Sequence, residues 1–134
     1  KIALFCSILG LTVAQSSVSS TAMSYMQAND YCNNRGQILW IPTVNSTVPP
    51  RAPNGGYQWL GIYRTAAGEN QWKNLLEEDV TDLMKKHSIW GDSEPNNTGG
   101  DEACVITTSY SNKAIDYRCE LLAQAVCYSR VEDL

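Results

Sequence analysis

The placement of the cysteines narrows the folds open to this chain more than any other feature. Of five Cys, Cys6 lies inside an apolar run over residues 2–11, with Lys1 before it and Thr12-Val13-Ala14 after it. That pattern reads as a secretory signal peptide over residues 1–14, cleaved near Ala14, so Cys6 leaves with it. Four cysteines remain: Cys32, Cys104, Cys119 and Cys127. In the oxidising compartment that a signal implies, an even set reads as two disulfides, and no pair has the C-x-x-C spacing of a redox or zinc site. Three pairings are open on spacing alone. The lack of an initiator Met marks the sequence as trimmed or partial.

Residues 15–134 suit one domain with a single core. Apolar residues make up 43% of the chain and charged residues 18%, a globular balance. The net charge of −4 comes with scattered bases, Lys85-Lys86 being the only adjacent pair, which argues against nucleic acid as a partner. The apolar start is shorter than the ~20 residues of a membrane span, and no other segment approaches that length. A secreted, extracellular protein is expected.

Along the mature chain, residues 22–35 read as a helix stopped by Gly36, with Tyr25, Ala28 and Cys32 on one face. Residues 37–43 carry a short apolar run that suits a buried strand, whereas Pro49, Pro50, Pro53 and Gly55-Gly56 make residues 44–57 a loop. Asn45-Ser46-Thr47 is an N-glycosylation sequon in that loop. Residues 57–63 read as a core strand, with a neighbouring strand at Gln71-Trp72-Lys73. Apolar positions at helical spacing, acids early and Lys85-Lys86 late predict a helix over residues 75–87. Residues 104–108 and 123–128 read as strands, with a turn over residues 109–112.

The chemistry concentrates in Glu94-Pro95-Asn96, Glu102 and Asp116, which offer oxygen atoms beside Cys104 and Cys119. Ca²⁺ takes six to eight oxygen ligands and tolerates irregular geometry, so a loop that gathers these side chains could hold it. Pro95, between two residues that must both turn inward, suits a cis peptide bond. His87, the only histidine, has no nucleophile in a recognisable context, and a hydrolase built from Glu94, Asp101, Glu102 and His87 lacks a metal-binding His pair. An enzyme is not expected. Trp40, Trp59, Trp72 and Trp90 read as core residues rather than sugar-stacking platforms.

Taken together, Trp59-Leu60-Gly61-Ile62, Trp72, Trp90 ahead of Glu94-Pro95-Asn96, Glu102 with Cys104, Asp116, Cys119 and Cys127 resemble the C-type lectin carbohydrate-recognition domains. The resemblance implies an α+β fold in its short form: one main N-terminal helix, antiparallel strands and a long Ca²⁺-binding loop region. It also implies the pairs Cys32–Cys127 and Cys104–Cys119. It further implies Glu94, Asn96, Glu102 and Asp116 as Ca²⁺ ligands, with Glu94, Asn96 and Glu102 contacting the sugar. Glu-Pro-Asn in that order implies vicinal equatorial hydroxyls, hence mannose, glucose-type or fucose sugars on cell or microbial surfaces. With no coiled-coil neck, avidity would have to come from another association surface, such as a homo-oligomer.

Three departures stand out. Ala114-Ile115-Asp116 occupies the place of the family's Trp-Asn-Asp, so Ile115 replaces an amide ligand with a side chain that cannot coordinate. The alternative is therefore a lectin-like domain that has lost Ca²⁺ and sugar and binds a protein or other surface. The family's second helix has no place among the prolines of residues 44–57, and its first strand is expected to be short or missing, with Val18 as a remnant. A missing first strand would leave the last strand as an exposed sheet edge.

Overall fold

A computed structural model describes residues 15–129. The expected signal peptide, with Cys6, lies outside the described residues. The elements are β1 (Gln15–Met23), α1 (Tyr25–Asn33), β2 (Ile38–Leu39), β3 (Tyr57–Tyr63), β4 (Lys73–Asn74), α2 (Thr81–Lys86), β5 (Cys104–Thr108), β6 (Ser111–Tyr117) and β7 (Ala123–Tyr128). They form a mixed sheet in the order β1-β7-β3-β5-β6, with β2 added to β7 and β4 to β3.

The sheet is buried on both faces at its centre. In β3, the five residues from Gln58 to Ile62 are all buried, as expected of a continuous apolar run. Alternate side chains enter two cores: Leu60, Ile62, Val105 and Val126 meet Trp40, Trp72 and Met84 on one side. Trp59, Ile106 and Ala125 meet Tyr25, Ala28 and Cys32 of α1 on the other. Gly61 lies where β3 passes the chain after β2, and a Cβ there would lie 2.7 Å from both Ile41 Cγ2 and Leu75 Cδ1, so those side chains would have to move. Cys32–Cys127 ties α1 to β7, and Cys104–Cys119 ties the start of β5 to the segment after β6. Both pairs are those the family resemblance implies.

Helix α1 starts later than residue 22, because Ser24 and Gln27 form a capping box that sets the first turn. Its buried face is Tyr25, Ala28 and Cys32, as expected. The first strand is neither short nor missing. β1 runs antiparallel to β7 from Gln15↔Tyr128 to Met23↔Ala123, so that edge of β7 is covered. Polar Ser and Thr residues accept this strand because the β7 backbone supplies their partners, and buried Ser19 Oγ takes the N–H of Ala125 at the irregularity between Val18 and Ala22.

The helix expected over residues 75–87 is reduced to α2, six residues long. Asn74 explains the loss: its Oδ1 accepts the N–H groups of Leu76 and Glu78, its own N–H donates to Glu78 O, and Glu77 adopts φ 65°. This side-chain-to-backbone turn competes with the helix at its first turn. The helical spacing persists as burial of Val80 and Met84, with Leu83 packed partly buried against the same core. The strand expected over residues 37–43 shortens to β2, while residues 44–56 form the expected loop with Asn45 exposed. Among the described residues, no helix is long and apolar enough to cross a membrane.

Candidate carbohydrate and calcium site

The loop between α2 and β5 folds back onto β6 and carries most of the chemistry. Ile89 and Gly91 hydrogen-bond to Ala114, with Trp90 bridging in parallel, which brings residues 91–94 to the edge of β6. Glu94-Pro95 is cis, at the proline where the sequence placed it. Across that proline Asn96 Nδ2 donates to Glu94 Oε2 at 3.4 Å.

Asp116, whose side chain is fully buried, anchors the loop from β6. Its Oδ1 accepts the N–H of Asn96 at 3.0 Å and its Oδ2 that of Asn97 at 2.8 Å. Glu102 is tied into the same turn: its Oε1 accepts the N–H of Thr98 at 2.9 Å, and its own N–H donates to Asn97 Oδ1 at 3.1 Å. Asn96 Oδ1 also accepts the Thr98 N–H, at 3.0 Å. The four residues singled out from sequence, Glu94, Asn96, Glu102 and Asp116, thus belong to one connected cluster. Ile115, between the anchor and Ala114, lines an open cleft of about 330 Å³ together with Glu94, Gly91, Asp92, Ser111 and Lys113.

The cluster carries more negative charge than its surroundings neutralise. Burial, with the neighbouring charges of Asp116 and Glu102, pushes the Glu94 carboxyl up to about 7. Glu102 is raised as well, by burial first and then by the charge of Asp116. Glu94 Oε1 is buried with no hydrogen-bond partner, a state that among the described residues only the side-chain atoms Tyr25 Oη and Gln58 Oε1 share. An all-oxygen donor set with an orphaned carboxylate oxygen and crowded negative charge fits a hard cation in chemistry. Among the described residues, no three His, Cys, Asp or Glu side chains converge in metal-holding geometry.

Sequence reasoning missed Arg64, which follows β3 and lies behind the loop with only 4% of its side chain exposed. Its Nη2 donates to Glu102 O at 2.6 Å and Asn97 Oδ1 at 3.3 Å, and reaches Asp116 Oδ2 at 3.5 Å. The Nε donates to Glu102 O at 2.9 Å, Nη1 to Glu69 O at 2.6 Å, and the guanidinium stacks over Trp72 at 4.3 Å. Burial pulls this group below its usual range, and the charges of Asp116, Glu102 and Glu69 oppose that shift. A lone Arg after an apolar strand carries no motif, so nothing in the sequence pointed to it. The four tryptophans are core residues or pack against the core: Trp40, Trp59 and Trp72 are buried, and Trp90 lies edge-on to Trp72. His87 is exposed.

Residues 21–129 match the family model of the Lectin C-type domain. The chain belongs to the C-type lectin domain family. This lectin domain is 28% identical to E-selectin of Homo sapiens over 126 residues, which are 83% of this chain and 19% of that protein. It is 32% identical to Collectin-11 of Danio rerio over 108 residues, 77% of this chain and 38% of that one. The chain therefore spans well under half the length of either relative. Among solved structures, the cow CD23 carbohydrate-recognition domain, determined in the presence of a GlcNAc2Man3 oligosaccharide, superposes with a TM-score of 0.65 at 25% identity, covering 83% of each chain. C-type lectin domains bind glycans, typically bind Ca²⁺ and are in general not enzymes.

Proposed function

We propose that this lectin domain is a secreted, Ca²⁺-dependent sugar-binding module for mannose, glucose-type and fucose sugars. The observation that carries the reading is the pairing of Glu94 and Asn96 across Pro95, with Glu94 Oε1 buried and unpartnered while Glu102 and Asp116 crowd it with negative charge. Bound Ca²⁺ supplies a centre to which two vicinal sugar hydroxyls bind through their oxygens. Glu94 and Asn96 hold the cation through one oxygen each and use the rest of their polar groups on the hydroxyls, with Glu94 accepting and Asn96 Nδ2 donating. Glu102 is a further ligand and sugar contact, and Asp116 holds the cation from β6 while fixing the loop.

Ile115 favours a second reading, in which the domain has lost Ca²⁺ and binds a protein or other surface. It puts an aliphatic side chain in the cleft beside Glu94, where an amide would add a ligand. Adsorption to mannose-agarose at millimolar Ca²⁺ separates the two. Retention with elution by EDTA supports the sugar-binding reading; no retention on mannose, glucose or fucose, or retention indifferent to EDTA, supports the other. Under the first reading, Glu94→Gln with Asn96→Asp moves preference toward galactose, and an unchanged selectivity counts against it.

A further inference from the structure

Arg64 makes an unusual set of contacts for a residue that no sequence motif singles out. Its guanidinium meets four oxygens on four separate residues: Glu69 O before β4, Asn97 Oδ1 and Glu102 O in the site loop, and Asp116 Oδ2 on β6. It is sandwiched out of water against Trp72. The planar fork of an arginine can address several acceptors at once, which a lysine ammonium on a flexible stem does less well. The acceptors it organises are the ones that hold the site loop. Asp116 takes the Asn96 and Asn97 N–H groups, and Asn97 Oδ1 takes the Glu102 N–H.

From this geometry we infer that Arg64 is a positioning residue, a built-in and non-exchangeable cation that keeps the loop of residues 94–102 folded against β6 whether or not Ca²⁺ is present. The inference rests on the proposed sugar site for its functional meaning, since what Arg64 positions is Asn96 and Glu102. Removing a divalent ion from a loop gathered by acidic side chains ordinarily leaves those side chains to repel one another, and the loop opens. Here a guanidinium fork remains fixed at the centre of the network, donating at once to Glu69 O, Glu102 O and Asn97 Oδ1, which a point charge in the same place would not do. The loop enters binding already ordered, so ion and sugar meet a preorganised site and less ordering entropy opposes binding.

Amide hydrogen exchange on the disulfide-intact domain in EDTA tests this directly. In the wild type without Ca²⁺, the N–H groups of Asn96, Asn97 and Glu102 are expected to exchange at least tenfold more slowly than the same amides in an unstructured peptide of this loop's sequence. Arg64→Gln is expected to remove that protection while the amides of β3, β5 and β7 keep theirs. Arg64→Lys, which preserves the charge, is expected to restore thermal stability toward wild type but not the loop protection, an outcome a general packing role would not give. If Arg64→Gln does not fold, the wild-type and lysine measurements decide. Fast wild-type exchange at these three amides in EDTA, slowed only by Ca²⁺, overturns the inference, as does unchanged protection in Arg64→Lys. A Ca²⁺ and mannose titration of the same samples keeps the questions apart. No binding with a protected loop defeats the sugar-site reading alone, whereas binding to a loop that is unprotected in EDTA defeats the role of Arg64 alone.

Discussion

Asp116→Asn separates the structural role of this cluster from its proposed metal chemistry. Asp116 has both oxygens committed, Oδ1 to Asn96 N–H at 3.0 Å and Oδ2 to Asn97 N–H at 2.8 Å, with Arg64 at 3.5 Å and no side-chain exposure. Asparagine keeps the shape but replaces one acceptor with an NH₂ donor that then faces a backbone donor, and it leaves Arg64 without its charged partner. A hydrogen bond to a charged group contributes about 1.5–3 kcal/mol net, and stranding one member of a buried ion pair costs about 3–5 kcal/mol. These contributions overlap, so a loss of about 3–5 kcal/mol is expected in total. For a domain of this size that lowers the unfolding midpoint by about 10–20 °C. The assay is thermal unfolding of wild type and variant in excess EDTA, with both disulfides intact. A variant within about 2 °C of wild type in EDTA would refute the assignment of Asp116 as loop anchor. A loss that appears only when Ca²⁺ is added would show that its carboxylate matters as a metal ligand and not as an anchor.

Other outcomes follow from the same contacts. Ile115→Asn is expected to tighten Ca²⁺ binding, on the order of tenfold, by adding an amide oxygen beside Glu94; calorimetry showing no gain would place Ile115 outside the ligand shell. Gly61→Ala should destabilise by about 1–3 kcal/mol in a urea titration, because its Cβ would collide with Ile41 and Leu75 at 2.7 Å. A neutral effect would mean that those side chains yield freely. The raised pKa of Glu94, about 7 against an ordinary 4.5, means that the metal-free folded state holds a proton there that the unfolded chain has released. Its stabilising contribution is thus fully present below about pH 4.5 and is lost as pH rises through about 7. In EDTA, the unfolding midpoint of the wild type relative to Glu94→Gln should therefore fall between about pH 4.5 and 7 and level off above that, and a pH-independent difference would argue against the shift. Ca²⁺ affinity should follow the opposite course and weaken as pH falls through 7, because cation and proton compete for the same oxygens.

Much of this protein was readable without coordinates where one residue type has one physical use. Residues 57–63, 104–108 and 123–128 are strands because long apolar or β-branched runs bounded by turn residues have few other places to go. The inward face of α1 followed from spacing, and the two cystine pairs from the family resemblance. Glu94, Asn96, Glu102 and Asp116 stood out as oxygen-bearing side chains flanking Pro95 or lying beside Cys104 and Cys119, and in the fold they form one cluster.

The tertiary structure decided what depends on partners distant in the chain. A polar Ser-rich segment became β1 because β7 had a free backbone edge, which residues 15–23 cannot reveal by themselves. The expected helix over residues 75–87 gave way at its start because the Asn74 side chain captured two backbone N–H groups, a local competition that apolar periodicity does not register. Arg64 is the clearest case. It lies 33 residues from Asn97 and 52 from Asp116, and its importance exists only where three separate segments bring their oxygens within reach of one guanidinium. Periodicity and motif report what neighbours along the chain can do together, whereas the assembly of a buried polar network depends on which distant groups the packed core leaves facing each other.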